Sequence, residues 1–378
     1  MTESRTALIL TGGGARAGYQ VGVLKAIREL LPEPRRNPFP IICGTSAGAI
    51  NAASMAVWAD DFDTGVEHLL RVWENFRAHQ VYRADPAGIG IAGARWLSAL
   101  AVGWLTRRAP RSLLDNSPLR RLLAEGLDFS RIGRAIDSGA LHSVSITCSG
   151  YSSGQSVSFF QGHAELEGWR RSQRVGAPAE ITLDHLMASS AIPFIFPAVH
   201  LNREWFGDGS MRQVAPVSPA IHLGAGRILV IGAGRMADEN ARPSARTYPS
   251  LAQIAGHALS SIFLDSMSVD LERMSRINRT VSLIPESVRR EQGLKLRPIE
   301  VLVIAPSQRL DHLAARHAQA LPWPVRALLR GIGAMNQNGG ALTSYLLFEQ
   351  AYTRALIELG YADTLARHDE VRQFLDMS

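Results

Sequence analysis

The sequence is poor in cysteine, with only Cys43 and Cys148 among its 378 residues. Both lie in apolar, strand-like stretches, which favours buried thiols in a reducing compartment over a disulfide framework or a metal site. The first five residues are mostly polar and an apolar strand pattern follows at once, so we expect no signal peptide. We therefore expect a cytoplasmic protein with no bound metal.

Lysine is almost absent as well, because Lys25 and Lys295 are the only two. The basic charge is nearly all arginine, and 40 basic against 34 acidic residues give a net charge of +6. Nucleotide bias explains this composition, and an anionic partner such as a phospholipid surface is the functional alternative. No basic run is long enough, or interleaved with enough aromatic residues, to indicate nucleic-acid binding. We predict no nucleic-acid partner.

Long apolar runs are also scarce, and only residues 87–105 stand out, being apolar or glycine apart from Arg95 and one serine. Crossing a bilayer takes about 20 apolar residues, and an arginine near the middle costs about 2.5–3.5 kcal/mol. A buried helix or a flap over a pocket fits better, and so does a helix in a membrane interface with Trp96 and Trp104 inserted. The stretch from Ala87 to Arg108 is our candidate for peripheral contact with the inner face of a membrane.

The apolar periodicity predicts alternating strands and helices. The strand, helix, strand, helix order at the start of the chain indicates parallel strands joined by right-handed crossovers, and hence an α/β fold. The polar stretch 236–249 is the best candidate boundary, which divides the chain into residues 1–235 and 236–378. The predicted strands cover residues 6–10, 41–43, 143–149, 157–160, 228–232, 281–284 and 299–304, and the predicted helices cover residues 18–31, 46–58, 62–77, 119–126, 251–277 and 337–359.

Residues 44–48 read Gly-Thr-Ser-Ala-Gly and follow the apolar run 41–43. A G-x-S-x-G turn between a strand and a helix strains its serine, and glycines such as Gly44 and Gly48 let neighbouring segments pass without a Cβ clash. The hydroxyl of Ser46 would then stand at a helix N-terminus, where free N–H groups stabilise negative charge. Taken alone, the pattern is equally typical of a glycine-rich strand-to-helix corner.

A second glycine cluster, Gly12, Gly13 and Gly14, ends the first strand pattern and opens a helix. Its backbone N–H groups suit an anion. The dinucleotide-binding fingerprint fits loosely, but it also requires an acidic residue about 20 residues on, at the end of the next strand. That strand ends at Cys43 without one. An oxyanion hole for an attack by Ser46 on a carbonyl group is the better interpretation.

A serine nucleophile also needs a base. The histidines after Ser46 are scattered and none sits in a strong local motif, whereas Asp208 lies between Gly207 and Gly209 after a hydrophobic stretch. A lone Gly-Asp-Gly is usually a turn, but beside the two glycine motifs it makes Asp208 a candidate base. Two other hypotheses stay open: a Ser-His-Asp esterase of the α/β-hydrolase type, and a catalytically silent protein that binds an anionic lipid or a nucleotide.

The three motifs occur in the order found in patatin-like phospholipases, and the sequence resembles that family over about residues 6–235. Residues 188–197 also look like the stretch that precedes the family's aspartate. The resemblance implies a three-layer α/β/α fold with a mainly parallel central sheet. It implies a serine acyl hydrolase with a Ser–Asp dyad and no histidine, no cofactor or metal, and a lipid or simple ester as substrate.

The resemblance also implies a role for each matching residue. Arg16 would shape the glycine loop or lie near a phosphate. Ser210 departs from the family, which usually has glycine there, and Ala17 stands where a glycine often follows the arginine. Residues 236–378 resemble the C-terminal extension of a bacterial subgroup, mostly helical and packed on the same unit. The implied nucleophile is Ser46, the base is Asp208, the oxyanion hole is Gly12, Gly13 and Gly14, and the supporting residues are Arg16, Gly44, Gly48 and Gly209.

Overall fold

The computed structural model describes residues 5–86, 112–234, 266–293, 296–331, 333–334 and 340–377, with isolated residues at 88, 90, 93, 94, 254, 256 and 257. The proposed boundary 236–249 lies outside the described residues, and so does all but a few positions of the candidate membrane stretch 87–108. No helix in the described part of the chain is long and apolar enough to cross a bilayer.

The described strands form one sheet in the order β10-β9-β1-β2-β3-β4-β6-β5, with the β7–β8 hairpin attached to β3. Strands β10, β9, β1, β2 and β3 are parallel to one another, while β4 and β8 run antiparallel to β3. The predicted mainly parallel α/β sheet is confirmed. The bounds are β1 Arg5–Leu10, β2 Ile41–Thr45, β3 Ser143–Gly150, β4 Ser156–Gly162, β5 Trp169–Arg171, β6 Arg174–Pro178, β7 Val199–Leu201, β8 Glu204–Asp208, β9 Ala225–Ile231 and β10 Glu300–Ile304.

Helices cover both faces of this sheet, so its central strands are apolar on both sides. Along β1, Leu8 and Leu10 join one core, whereas Ala7 and Ile9 join the other. The three-layer arrangement follows from these two cores. The described helices are α1 Gly18–Leu30, α2 Ala47–Val57, α3 Phe62–Trp73, α4 Ala78–Val81, α5 Ser117–Gly126, α6 Ser130–Asp137, α7 Leu183–Ser189, α8 Ser218–His222, α9 Ser266–Ser282, α10 Glu286–Glu291, α11 Leu310–His317, α12 Trp323–Gly331, α13 Gly340–Leu346, α14 Gln350–Leu365 and α15 His368–Phe374.

Two predictions about the C-terminal part were wrong. The strand expected over 281–284 does not form, because Val281 is the buried residue at the end of helix α9, between exposed Thr280 and Ser282. The single helix expected over 337–359 is broken at residues 347–349 into α13 and α14. The side chain of Glu349 turns inward at this break, where its Oε1 accepts a hydrogen bond of 3.2 Å from the backbone N–H of Ala78.

The C-terminal part also contributes to the central sheet. Strand β10 pairs with β9 in parallel register, and α14 packs along α1. The helix expected over 251–277 appears in the described residues from Ser266 onward. The short strands β5 to β8 were not predicted, since three to five residues carry too little periodicity to be recognised.

Candidate active site

The G-x-S-x-G motif forms a sharp turn between β2 and α2. Ser46 sits between these elements with φ 55° and ψ −129°, a conformation that costs a non-glycine residue on the order of 1–3 kcal/mol. Hydrogen bonds hold this turn: the N–H of Ser46 donates to Ser189 Oγ at 2.9 Å, and Ser189 Oγ donates to the carbonyl of Thr147 at 2.6 Å. Ser189 therefore fixes the turn from helix α7.

The glycines that flank Ser46 allow very close packing. A Cβ atom at Gly48 would lie 2.2 Å from the carbonyl oxygen of Leu10, and one at Gly44 would lie 2.5 Å from that of Gly48. Such distances leave no room for a side chain. The close approach of α2 to β1 places the turn next to the loop that follows β1.

Asp208 reaches the serine from the far end of the β8 hairpin strand. Antiparallel pairing sets Asp208 opposite Cys148 of β3, and the N–H of Asp208 donates to the carbonyl of Ala191 at 3.0 Å. The hydroxyl of Ser46 then donates to Asp208 Oδ2 at 2.5 Å, across 162 residues of sequence. The structure thus brings together the two residues expected to act as nucleophile and base.

The pair is withdrawn from solvent, since Ser46 is 1% exposed and Asp208 is 0% exposed. Burial raises the pKa of Asp208 from 3.8 to about 6, although hydrogen bonds from Ser46 and Ser210 act in the opposite direction. At neutral pH the carboxylate is still mainly ionised, and it is a stronger base than an exposed aspartate. Gly209 keeps the turn tight, because a Cβ there would lie 2.0 Å from the carbonyl of Thr147.

The Gly12, Gly13 and Gly14 loop leaves the end of β1, beside the end of β2, because Leu10 pairs with Gly44 in parallel register. None of the described residues accepts a hydrogen bond from the N–H groups of these three glycines. Gly14 has φ +56°, which glycine adopts without strain, and it lines the same cavity as Ser46. The loop can therefore offer free donors beside the serine.

The start of this loop is fixed by Thr11. Its N–H donates to the carbonyl of Ile231 at 3.3 Å, and its hydroxyl accepts from the N–H of Ala233 at 3.0 Å. Gln20 Nε2 donates to the carbonyl of Thr11 at 2.8 Å, and Asn51 in turn donates to Gln20 Oε1 at 3.0 Å. Buried polar networks of this kind rigidify the segments they join.

Arg16 is buried and directed toward the C-terminal part of the chain. Its Nε donates to Ser344 Oγ at 2.7 Å and its Nη1 to the Tyr345 hydroxyl at 3.3 Å, while its guanidinium lies 4.1 Å from the centroid of the Tyr345 ring. Of the two roles implied for Arg16, these contacts support the shaping of the glycine loop. They were not foreseen, since Ser344 and Tyr345 belong to no motif.

A small apolar cavity of about 30 Å³ opens onto Ser46. Three aromatic rings form one wall, with centroids 4.9 Å apart for Trp73 and Phe76 and 5.5 Å apart for Phe76 and Phe348. The sequence gives no signal for this wall, because its members come from distant elements. The full lining is Gly14, Ser46, Ala47, Ile50, Trp73, Phe76, Val81, Leu119, Ser190, Ile192, Phe196 and Phe348.

Neither a histidine nor a metal-binding cluster accompanies the pair among the described residues. Among the described residues, no histidine hydrogen-bonds to Ser46 or Asp208; His185 in the neighbouring helix α7 is instead bonded to Thr182. The described residues also contain no group of three or more histidine, cysteine or acidic side chains suited to a metal ion. Cys43 and Cys148 are buried free thiols, as predicted.

The described residues thus form a mainly parallel α/β sheet with a strained serine turn at the carboxyl end of β2, which is the arrangement of a large class of α/β proteins. The chain belongs to the patatin-like phospholipase family, whose model matches residues 8–221. This family assignment confirms the resemblance seen in the sequence.

Two curated relatives are similar to this chain over part of their length. The cGAMP-activated phospholipase of Pseudomonas aeruginosa is 27% identical over 216 residues, which are 57% of this chain and 55% of that protein. The cUMP-AMP-activated phospholipase of Escherichia coli is 32% identical over 110 residues, 24% of this chain and 34% of that protein. The chain thus spans about half the length of the first relative and about a third of the second.

Two solved structures are also similar. VipD from Legionella pneumophila is 13% identical with a TM-score of 0.38, covering 99% of this chain and 67% of that one. ExoU from Pseudomonas aeruginosa, in complex with SpcU, is 20% identical with a TM-score of 0.21, covering 41% of this chain and 34% of that one. Likenesses of this size carry no conclusion about this chain.

Proposed function

We propose that the protein hydrolyses carboxylic esters of lipids with Ser46 as nucleophile and Asp208 as general base. The observation that carries this proposal is the 2.5 Å hydrogen bond from Ser46 Oγ to a buried carboxylate beside a loop with free N–H groups. A serine is a weak nucleophile at neutral pH until a base accepts its proton. Asp208 is positioned to accept it directly.

In the first half of the reaction, Ser46 Oγ attacks the ester carbonyl carbon while its proton passes to Asp208 Oδ2. The carbonyl oxygen becomes an oxyanion, which the N–H groups of Gly12, Gly13 and Gly14 stabilise. The C–O bond to the alcohol then breaks, and Asp208 returns the proton to the leaving oxygen. The product of this half-reaction is an acyl ester on Ser46.

In the second half, water attacks the acyl carbon and gives its proton to Asp208. A second oxyanion forms in the same hole, the bond to Ser46 Oγ breaks, and the proton returns to that oxygen. The N–H of Ser46 is already engaged by Ser189, so the proposed hole draws on the glycine loop and not on this donor. No metal or cofactor is needed for either half.

The cavity supports a fatty acyl chain as the group that Ser46 receives. Its walls are aliphatic and aromatic, and they lead to the reactive hydroxyl. Burial of each methylene contributes about 0.8 kcal/mol, so an acyl chain gains affinity once the apolar side chains around the cavity move apart to admit it. Phospholipids, lysophospholipids, neutral glycerides and simple esters all present the same carbonyl to the pair.

The test is hydrolysis of short p-nitrophenyl esters by the wild type, Ser46→Ala and Asp208→Asn. Both variants should lose activity, while Ser54→Ala, a buried serine further along α2, should keep it. A dyad is refuted by full activity in Asp208→Asn. Loss of turnover on changing one histidine, with the fold intact, would favour a Ser-His-Asp esterase, and no turnover of any ester by the wild type would favour a silent binding protein.

The lipid substrate is identified by comparing lipid extracts after incubation with the wild type or with Ser46→Ala. A lipid that the wild type consumes and Ser46→Ala leaves intact is the substrate.

We also propose a cytoplasmic protein, with residues 87–108 as the candidate for peripheral contact with the inner face of a membrane. Flotation with anionic vesicles tests this contact in the full chain and in a chain lacking residues 87–108. Unchanged binding by a folded deletion variant would rule it out.

Both curated relatives are named as activated by a cyclic dinucleotide, and we extend this as a proposal to the present chain. Because Ser46 and Asp208 are buried, substrate reaches them only after residues around the cavity move, and a ligand that favours the open state would raise the rate. Hydrolysis is therefore compared with and without cGAMP or cUMP-AMP, with ATP as control. Equal rates in all arms would refute activation by these nucleotides.

The division of the chain also remains a proposal. We propose that residues 1–235 form the catalytic domain and that 236–378 extend the same unit. Strand β10 in the central sheet and the packing of α14 on α1 support this view. Thermal unfolding of the chain, measured before and after limited proteolysis, should show one cooperative transition. Two independent transitions would contradict the proposal that both parts form one unit.

A further inference from the structure

We infer that helix α13 positions the oxyanion loop, Gly12 to Gly14, by holding Arg16 through Ser344 and Tyr345. The C-terminal part of the chain would then contribute directly to the geometry of the site. The inference rests on the proposed function. Ser344 and Tyr345 are positioning residues, because they act through Arg16 and do not touch the reacting atoms. The site's essential groups otherwise come from residues 8–221, the part matched by the family.

The first step in the argument is the state of Arg16. It is 4% exposed, and none of the ion pairs among the described residues includes it. Asp311 lies within electrostatic reach of Arg16 without forming an ion pair with it, and a buried charge of this kind is stable only when its donors are satisfied. Here neutral groups of α13 satisfy them: the Ser344 hydroxyl, the Tyr345 hydroxyl and ring, and the carbonyl of Ala341 at 3.5 Å from Nη2.

The second step is the connection from Arg16 to the glycine loop. The backbone N–H of Arg16 donates to the carbonyl of Gly13 at 3.1 Å. Helix α13 also touches the loop directly, since a Cβ at Gly14 would lie 2.3 Å from the carbonyl oxygen of Tyr345. One helix therefore constrains the loop both through the Arg16 side chain and through its own backbone.

The third step is the support of α13 itself. The hydroxyl of Tyr82 donates to the carbonyl of Leu346 at 2.9 Å, and Phe348, just after the helix, forms part of the acyl cavity. The segment that fixes the oxyanion loop is thus continuous with the wall that receives the acyl chain.

The test compares Ser344→Ala with Thr343→Ala. Both remove a buried hydroxyl from the same helix, but only Ser344 contacts Arg16. Loss of an oxyanion donor costs about 10²–10³ in kcat, and a displaced donor costs less, so we expect Ser344→Ala to lower kcat roughly tenfold. KM should stay within about twofold, and labelling by a fluorophosphonate should slow by the same factor as kcat. Thr343→Ala should have the kcat of the wild type, even if its melting temperature falls as much as that of Ser344→Ala.

Tyr345→Phe is the second variant, because it keeps the ring over Arg16 and removes only the hydroxyl contact. It should lower kcat by about threefold, a smaller loss that matches the longer hydrogen bond. If Ser344→Ala does not fold, Tyr345→Phe decides the matter. Wild-type kcat in the folded variants, or the same fall in Thr343→Ala, would overturn the inference.

The pH profile separates this role from an effect on the dyad. Ser344→Ala should lower the plateau of kcat and leave its acid midpoint unchanged, because the hydrogen-bond partners of the Asp208 side chain in the described part of the chain are Ser46 and Ser210, not residues of α13. A moved midpoint would contradict a role confined to the loop. Failure of the proposed function looks different, since either Ser46→Ala would stay active or the wild type itself would hydrolyse no ester, whatever Ser344→Ala does.

Discussion

Asp208→Asn should abolish turnover and at the same time make the folded protein more stable at alkaline pH. Asn is close in shape to Asp: its Oδ1 can accept the N–H of Ser210, and its Nδ2 can donate to Ser46 Oγ. What the substitution removes is a charge buried at 0% exposure. The cost of that buried charge is what raises the pKa of Asp208 to about 6.

The direction in which the free energy of unfolding changes with pH follows from proton binding by Asp208. Below pH about 4, Asp208 is protonated in both folded and unfolded chains; between about 4 and 6 it stays protonated mainly in the folded chain; above about 6 it is ionised in both. The folded state binds the proton more tightly, so the free energy of unfolding falls as the pH rises through this window and stays low above it. The rise from 3.8 to about 6 corresponds to a penalty of about 3 kcal/mol at pH 8 and about 1 kcal/mol at pH 4.5.

Asparagine carries no such penalty. Going from pH 4.5 to pH 8, the stability of Asp208→Asn relative to the wild type should therefore increase by about 2 kcal/mol. The entropy of unfolding for 378 residues is on the order of 0.8 kcal/mol per kelvin, so the melting temperatures should separate by a further 2–3 °C or so. Scanning calorimetry at the two pH values measures this difference.

The matched control is Asp137→Asn, at an exposed position on helix α6. It should show the same offset from the wild type at both pH values. A constant offset for Asp208→Asn as well would refute the argument, because it would mean that folding does not raise the pKa of this carboxyl group.

Three further predictions concern activity. The rate of ester hydrolysis should fall below pH about 6, roughly tenfold per unit, because protonated Asp208 cannot accept the serine proton; an unchanged rate at pH 5 would exclude this base. Gly14→Ala should lower kcat by about 100-fold or more and destabilise the fold, since its Cβ would lie 2.3 Å from the Tyr345 carbonyl at φ +56°; activity near that of the wild type would show that the loop is not used. Phe348→Ala should enlarge the cavity and shift kcat/KM toward longer p-nitrophenyl esters at a cost of about 3–5 kcal/mol in stability; an unchanged chain-length profile would place the acyl chain elsewhere.

The first half of the fold and the candidate pair Ser46 and Asp208 could be predicted from the sequence, for physical reasons. At the glycines close to Ser46 and Asp208, a neighbouring backbone atom lies within about 2–2.5 Å of the place where a Cβ would be. Residues other than glycine do not fit at such positions, so the glycines are a recognisable signal. The strands near the N-terminus are apolar on both faces and joined by short connections, which predicts a parallel sheet. These are local signals.

The rest of the site depends on contacts that leave no local signal. Arg16 and Ser344 are 328 positions apart, and nothing near Ser344 indicates a partner. The short apolar run that contains Val281 fits either a strand or a helix. In the structure it is the end of an amphipathic helix, in which Val281 is buried and its neighbours are exposed. The break before α14 likewise depends on Glu349 reaching Ala78, a contact that only the folded chain creates.

The most direct test of the central claim is the site and rate of covalent labelling by a fluorophosphonate, read by peptide mass spectrometry. The adduct should form on Ser46, be absent from Ser46→Ala, and form far more slowly in Asp208→Asn, because the hydroxyl then has no base 2.5 Å away. An adduct on a different residue, or labelling of Asp208→Asn at the wild-type rate, would contradict the Ser46–Asp208 dyad.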